Sequence, residues 1–310
     1  MFLAVFGFLF GIFGMVYLSP KVTNYSIKLG HVFRVSPLII GLMIAVGANL
    51  PEFSNSVISS FLGFDNVNIG NLLGSSLALV SLSTGAVILF RGGFNVDRKN
   101  ILILCACMTI VLFQIFTIFE NGLISRINGF ILVGNFILIY FIIHNSIIKK
   151  EYIFPPQDKI FFSQMKYKYF FYIILSLLGI VLSAYVFVNS VVSLSDFFGI
   201  SSFVVSFFVV SIATTLPEFF IGIDAVKKGE YELFFGDQFG GVISNLTLIL
   251  GVSAIISAKV IDSAVVIASL NYLILAVVLV FLIILINKKI DRKTALLMIL
   301  IYLGSFFFVK

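Results

Sequence analysis

The sequence predicts an all-α integral membrane protein with ten transmembrane helices arranged as two inverted five-helix repeats. Three observations predict it. The 310-residue chain is 60% hydrophobic and only 11% charged, with a mean hydropathy of +1.17, whereas a soluble domain is roughly half apolar and about a quarter charged. Apolar runs of the roughly 20 residues that cross a bilayer recur along the whole length. A Leu-Pro-Glu string occurs twice, in "VGANLPEFSNSV" and in "SIATTLPEFFIGI", 166 residues apart. In lipid only helices or closed barrels satisfy the backbone, and these runs are too long and too evenly apolar for barrel strands.

Apolar runs and their breakers place spans at about 2–18, 35–60, 67–90, 100–119, 123–146, 169–192, 199–226, 233–256, 261–286 and 294–309. The first has no basic leader and no small-residue cleavage site, so it reads as a retained helix rather than a signal peptide. The second and seventh contain Pro51 and Pro217, each of which lacks an N–H and should kink or break its helix. The third and eighth open on "NIGNLLGSS" and "FFGDQFGG". In the fourth, Cys105 and Cys107 read as small buried hydrophobes, because C-x-C without a second pair makes neither a redox nor a metal site. His31, in a loop, and His144, at the end of a span, have no His or Cys nearby.

Between the fifth and sixth spans, "KKEYIFPPQDK" resists helix through its adjacent prolines and is the natural linker. The units are therefore 1–146 and 169–310, joined by 147–168. Five is odd, so the second half enters the membrane from the opposite side. The spacing supports the repeat: Asn71 follows Glu52 by 19 residues, and Asp237 follows Glu218 by the same 19.

Basic residues set the orientation. Of the 20 Lys and Arg, all but Arg126, Lys259 and Lys310 fall in odd-numbered loops, which predicts cytoplasmic odd loops and both termini outside. The net charge of +6 is then topology and attraction to an anionic leaflet, and requires no nucleic-acid partner.

Among 14 acidic residues, Glu52, Glu218 and Asp237 alone lie well inside spans, with no Lys or Arg at that depth. A carboxylate in hydrocarbon costs at least about 2.5 kcal/mol, so the three are expected to be protonated or to face a cation. Proline breaks free carbonyl oxygens. Together with the hydroxyls of Thr214 and Thr215, they can supply the roughly six to eight oxygens that a hard cation such as Ca2+ takes. Asn71, Ser75 and Asn245 read equally well as cation ligands or as interhelical hydrogen bonds. Gly70, Gly74, Gly236, Gly240 and Gly241 read mainly as close packing.

On these residues the chain resembles the cation/calcium exchanger superfamily, closest to prokaryotic sodium/calcium exchangers. Helices 2 and 7 of that family carry G-T-S-L-P-E, and helices 3 and 8 carry G-N-x-x-G-S. Here the matching strings are "GANLPE", "ATTLPE", "GNLLGS" and "GDQFGG". The resemblance implies the sodium/calcium exchanger fold and antiport of a divalent cation, most readily Ca2+, for Na+ by alternating access, with helices 1 and 6 sliding against the core. It implies Glu52 and Glu218 as central ligands, with Thr214, Thr215 and Ser75 at matching positions, and Asp237, Asn71, Asn245 and positions 48 and 49 around them. It implies no cofactor beyond the transported ions, no obligatory protein partner, and a place in the plasma membrane.

The chain also departs from the pattern. Ala48 and Asn49 replace Thr-Ser, Asp237 replaces Asn, Gly241 replaces Ser, and Leu79 stands where relatives often carry an amide or acid. These departures keep a Ca2+/H+ exchanger of the same fold, with Asp237 or a glutamate as proton carrier, as the alternative. An intramembrane aspartyl protease is disfavoured, because Phe234 replaces the first glycine of G-x-G-D and a second catalytic Asp is missing. A passive channel is the remaining contender.

Overall fold

The computed structural model describes residues 1–32, 47, 49–95, 98–146, 166–261, 264–287 and 289–309. Ala48, the first part of the second expected span and most of the 147–168 linker lie outside the described residues. The helices are α1 (Phe2–Val32), α2 (Leu50–Leu62), α3 (Asp65–Arg91), α4 (Arg98–Glu120), α5 (Arg126–Ser146), α6 (Lys166–Phe198), α7 (Ser202–Lys227), α8 (Tyr231–Ile256), α9 (Ala264–Ile286) and α10 (Arg292–Phe308). Eight of them are long and apolar enough to cross a membrane. The 13 described residues of α2 and the 17 of α10 are shorter than that.

The largest departure from the expected boundaries is α1. The apolar run ends near residue 18, yet the helix continues through Pro20 to Val32 and takes Lys21, Lys28 and His31 out of the expected loop. Hydropathy reports where lipid ends, and a helix can continue beyond it. The extension is held by aromatic faces: Lys21 Nζ lies 3.8 Å from the Tyr17 ring centre, and Lys28 Nζ lies 5.7 Å and 5.8 Å from those of Tyr25 and Tyr169.

Helices α1 and α6 run antiparallel as one long pair, because contacts that climb α1 descend α6. Gly7 meets Ser190, Gly11 meets Phe187 and Ser183, Gly14 meets Ser183, and Leu18 meets Gly179. A Cβ on Gly11 would fall 2.5 Å from the Phe187 Cβ and 2.8 Å from the Ser183 carbonyl oxygen, so the approach requires glycine. Met15, Phe187, Val188 and Val191 form a cluster distinct from the main core, which it adjoins through Leu50 and Val210.

The main core holds matching irregularities in its two halves. Helix α3 widens into a π turn over Ala78–Ser83 and α8 over Asn245–Ile249, positions that coincide on the 166-residue spacing. Four two-residue strands, β1 (Phe94–Asn95), β2 (Leu123–Ile124), β3 (Lys259–Val260) and β4 (Lys289–Ile290), form two antiparallel ribbons, β1 with β4 and β2 with β3. Each ribbon ties a connection of one half to the converse connection of the other, the exchange an inverted repeat requires. The sequence carried no sign of them, since two residues show no periodicity.

Strand β3 brings in a buried cation. The Lys259 side chain is 0% exposed; its Nζ donates to Asp65 Oδ1 at 2.7 Å and to Ser60 Oγ at 3.1 Å. Burial holds the amine below the usual lysine range, against the opposing pull of Asp65. Lys259→Met is expected to cost about 2–3 kcal/mol, less than the roughly 3–5 kcal/mol of a fully enclosed pair, because Asp65 is 31% exposed. Thermal unfolding should show Asp65→Asn recovering part of that loss in the Met background and none of it alone.

Candidate functional site

Both Leu-Pro-Glu strings open a helix. Helix α2 begins at Leu50 with Pro51 in its first turn, while α7 stops at Thr214 and restarts at Leu216 with Pro217 in the new first turn. The pivots are alike: Asn49 has φ −90°, ψ 17° and Thr215 has φ −83°, ψ 1°, both in the sparsely occupied bridge region. Around the second break, Thr215 N–H still reaches the Ser211 carbonyl and Phe219 N–H the Thr215 carbonyl. Pro217 has no N–H to offer the carbonyl of Ala213 four residues back, which frees that oxygen.

The breaks place Glu52 and Glu218 in first turns, where the helix dipole favours negative charge. Both residues are 0% exposed. Among the described residues none of their four carboxylate oxygens has a hydrogen-bond partner. Two acids so placed are costly as bare charges, and either a proton or a cation between them relieves that cost.

Around them the predicted residues divide. Thr214 adjoins the Glu52 carboxylate, and its Oγ1 donates to Asn71 Oδ1 at 3.1 Å, while Asn71 Nδ2 has no partner among the described residues. Asn245 Nδ2 donates to Ser75 Oγ at 3.0 Å, and Asn245 Oδ1 has no partner among the described residues. Asn71 thus bonds across to α7 and Asn245 across to α3, with the Asn245 amide oxygen left over among the described residues. Glu52, Glu218 and Asp237 lie within electrostatic range of one another. Asp237 itself is half-buried and accepts from Gln238 Nε2 at 3.2 Å; the same nitrogen lies 3.2 Å from the Glu218 carbonyl oxygen. Among the described residues no three acids, histidines or cysteines form a ready-made metal cage, so amide, hydroxyl and backbone oxygens have to complete any coordination shell.

Thr215 turns away: its hydroxyl donates to the Ile212 carbonyl at 3.2 Å. Asn49 is buried and faces α8, with its Oδ1 3.4 Å from where a Cβ on Gly241 would sit and Leu79 Cδ1 2.9 Å from the same point. Three departures from the exchanger pattern, Asn49, Leu79 and Gly241, thus meet at one place, and the side chain missing at 241 is the room that Leu79 fills. Ala48 lies outside the described residues. Two residues escaped the sequence reading, Gln238 within "GDQFGG" and Asn55 within "PEFSNSV"; the signal for both was an amide inside an apolar run.

A family model described as sodium/calcium exchanger protein matches residues 3–144 and 168–310. The chain is 25% identical over 298 residues to the sodium/calcium exchanger MaX1 of Methanosarcina acetivorans, covering 80% of this chain and 81% of that protein. It is 25% identical over 264 residues to the inner membrane protein YrbG of Escherichia coli, covering 81% and 79%. Among solved structures it is similar to the H+/Ca2+ exchanger CAX, with a TM-score of 0.77 at 16% identity over 98% of this chain and 82% of that one. It is also similar to the sodium-calcium exchanger NCX_Mj, with a TM-score of 0.66 at 22% identity over 100% and 99%. At these identities the solved structures establish a shared fold.

Proposed function

This chain belongs to the sodium/calcium exchanger protein family, and from that premise we infer that it is a secondary active antiporter exchanging Ca2+ for Na+ across the plasma membrane. The observation that carries the reading is the pair Glu52 and Glu218, fully buried on proline-restarted helices with four carboxylate oxygens unpartnered among the described residues. Two negative charges are balanced by one divalent ion or by monovalent ions, so each occupant excludes the other, and exchange rather than leak follows. The Thr214 hydroxyl oxygen, the Asn245 amide oxygen, unpartnered among the described residues, and the carbonyl freed by Pro217 supply neutral oxygens to the shell around the ion, and the remaining lone pair of Asn71 Oδ1 can join them.

The units 1–146 and 169–310, joined by a cytoplasmic linker at 147–168, present this site to each side in turn as α1 and α6 slide. Their separate apolar cluster and glycine-lined contact support that motion. Odd-numbered loops face the cytoplasm.

One observation favours a second reading. Asp237 is a third acid within electrostatic reach of both glutamates, which suits a proton carrier in a Ca2+/H+ exchanger. The test is 45Ca uptake into proteoliposomes, driven in turn by a sodium gradient and by a pH gradient. Sodium should drive accumulation; uptake under the pH gradient alone would replace the coupling ion, and none under either would remove the antiporter reading. Asp237→Asn is expected to keep sodium-driven uptake; in a protein that takes up Ca2+ under the pH gradient, loss of that uptake with Ca2+ binding intact would assign Asp237 to proton carriage.

A further inference from the structure

The two halves agree at the acids and diverge one turn beyond them. On the 166-residue spacing, Ser56, Ser59 and Ser60 of α2 correspond to Gly222, Ala225 and Val226 of α7, and Asn55 corresponds to Ile221. Asp65 and Asn68 correspond to Tyr231 and Phe234. At these positions α2 is polar where α7 is apolar, while the charges of the α7 end, Asp224, Lys227 and Lys228, correspond to Ile58, Phe61 and Leu62. At the α7 end, Phe94 stacks on Tyr231 with ring centres 4.1 Å apart and planes 4° apart, with Phe234 beside them. At the α2 end, the buried Lys259, Ser60, Asn68 and Ser56 form a continuous hydrogen-bonded chain, with Asn68 Nδ2 donating to Ser60 Oγ at 2.9 Å and Ser56 Oγ donating to Asn68 Oδ1 at 2.7 Å.

That chain is satisfied, but its neighbour is not. Asn55 and Ser59 are both 0% exposed. Neither the Asn55 amide atoms nor Ser59 Oγ has a partner among the described residues. At about 100° per residue, Glu52, Asn55 and Ser59 fall within about 60° of one another, a single file climbing roughly 10 Å from the acid toward the end of α2. Asn55 lies at the border of the face that carries Leu50, Ile58 and Leu62 onto the α1 and α6 cluster. The other half has no amide or hydroxyl at the corresponding positions, where Ala225 is buried and Ile221 is exposed.

We propose that Asn55 and Ser59 form a cation station on the outer half of α2, where the transported ion exchanges water for neutral oxygens on its way to Glu52. The station rests on the antiporter reading for the identity of its ion, and on the basic-residue asymmetry for its outward side. An amide oxygen and a hydroxyl suit a hard cation, and without charge they hold it weakly enough to pass on. At the matching positions α7 has Ile221 and Ala225, and its side-chain oxygens at that end are those of the exposed Asp224 carboxylate paired with Lys228, so the two access routes differ in chemistry.

The test uses single cysteines at these positions in full-length protein with Cys105 and Cys107 replaced by Ala. A membrane-impermeant trimethylammonium thiosulfonate should modify Asn55→Cys and Ser59→Cys from outside, and rising Ca2+ should slow the reaction progressively, about tenfold at ten times the station's own, weaker Kd. Ile221→Cys and Ala225→Cys should stay unmodified from inside. No outer labelling at 55 and 59, or labelling indifferent to Ca2+, would overturn the station. Asn55→Leu supplies the second readout: Ca2+ uptake should fall about tenfold while calorimetric Ca2+ affinity stays within about threefold, a loss of rate and not of binding. A purely structural Asn55 would tolerate Leu, and unchanged uptake would dismiss the station while leaving the antiporter reading intact. Ca2+-protected labelling in a protein that fails to exchange would do the reverse.

Discussion

Glu52→Gln and Glu218→Gln should each abolish coupled Ca2+ transport in a protein that still folds. Glutamine keeps the shape of glutamate and removes only its charge, at a position 0% exposed where the carboxylate oxygens have no described partner. With the ion bound, the carboxylate is half of a buried charge pair, and removing one side of such a pair costs about 3–5 kcal/mol, a loss of roughly a hundredfold to several thousandfold in affinity. Without the ion the sign reverses, because the carboxylate must then either remain a buried charge beside a second one or take up a proton, and glutamine needs neither. The empty variants are therefore expected to unfold at a higher temperature than the empty parent protein. Lower affinity with higher unliganded stability separates loss of a ligand from loss of the fold. Calorimetric titration of Ca2+ reads the first, and thermal unfolding with and without Ca2+ reads the second; saturating ligand at about 100 times Kd should stabilise the parent by about 2.7 kcal/mol and the variants hardly at all. Parent-like uptake by both variants would remove Glu52 and Glu218 from the site.

Much of this was legible beforehand because lipid simplifies the problem. One variable, apolar length, located the helices, and the price of a carboxylate in hydrocarbon singled out Glu52, Glu218 and Asp237. Whatever depends on something other than lipid was missed. The continuation of α1 to Val32 rests on aromatic contacts outside the apolar run. The ribbons join residues as far apart as Phe94 and Ile290. Within the site, repetition guided the eye to the acids and prolines and hid whatever does not repeat: Asn55 faces Ile221 across the internal symmetry, so no motif marks it. The crossing bonds from Thr214 to Asn71 and from Asn245 to Ser75 span 143 and 170 residues, and the meeting of Asn49, Leu79 and Gly241 needs the packing of α2, α3 and α8. Substitutions that looked like separate departures are one local change, an apolar side chain set into the space that a small residue leaves.

Gly74→Val should be the most damaging apolar substitution at the centre of the molecule. Gly70 and Gly74, one turn apart on α3, meet Phe203 and Phe207, one turn apart on α7. A Cβ on Gly74 would overlap the Phe207 carbonyl oxygen and lie 2.8 Å from that residue's carbonyl carbon and Cα. All three are backbone atoms and cannot rotate away, so α3 and α7 must move apart. Overpacking against mobile side chains costs about 1–3 kcal/mol; here the strain also breaks the Thr214 to Asn71 bond at the same crossing and displaces the helix that carries Glu218. A loss of several kcal/mol is expected, enough to deplete the folded protein recovered from detergent. Gly74→Ala should already lower the unfolding temperature and weaken Ca2+ binding in whatever folds, because the site is built across this contact. Gly134 on α5 is the internal control, exposed and with no described atom within 4 Å of where a Cβ would sit; Gly134→Ala should be neutral or slightly stabilising through helix propensity, worth about 1 kcal/mol at most. Parent-like unfolding and Ca2+ affinity for Gly74→Ala would mean that the two helices are not in backbone contact, and that the acids are held at their distance by something other than the α3 and α7 crossing.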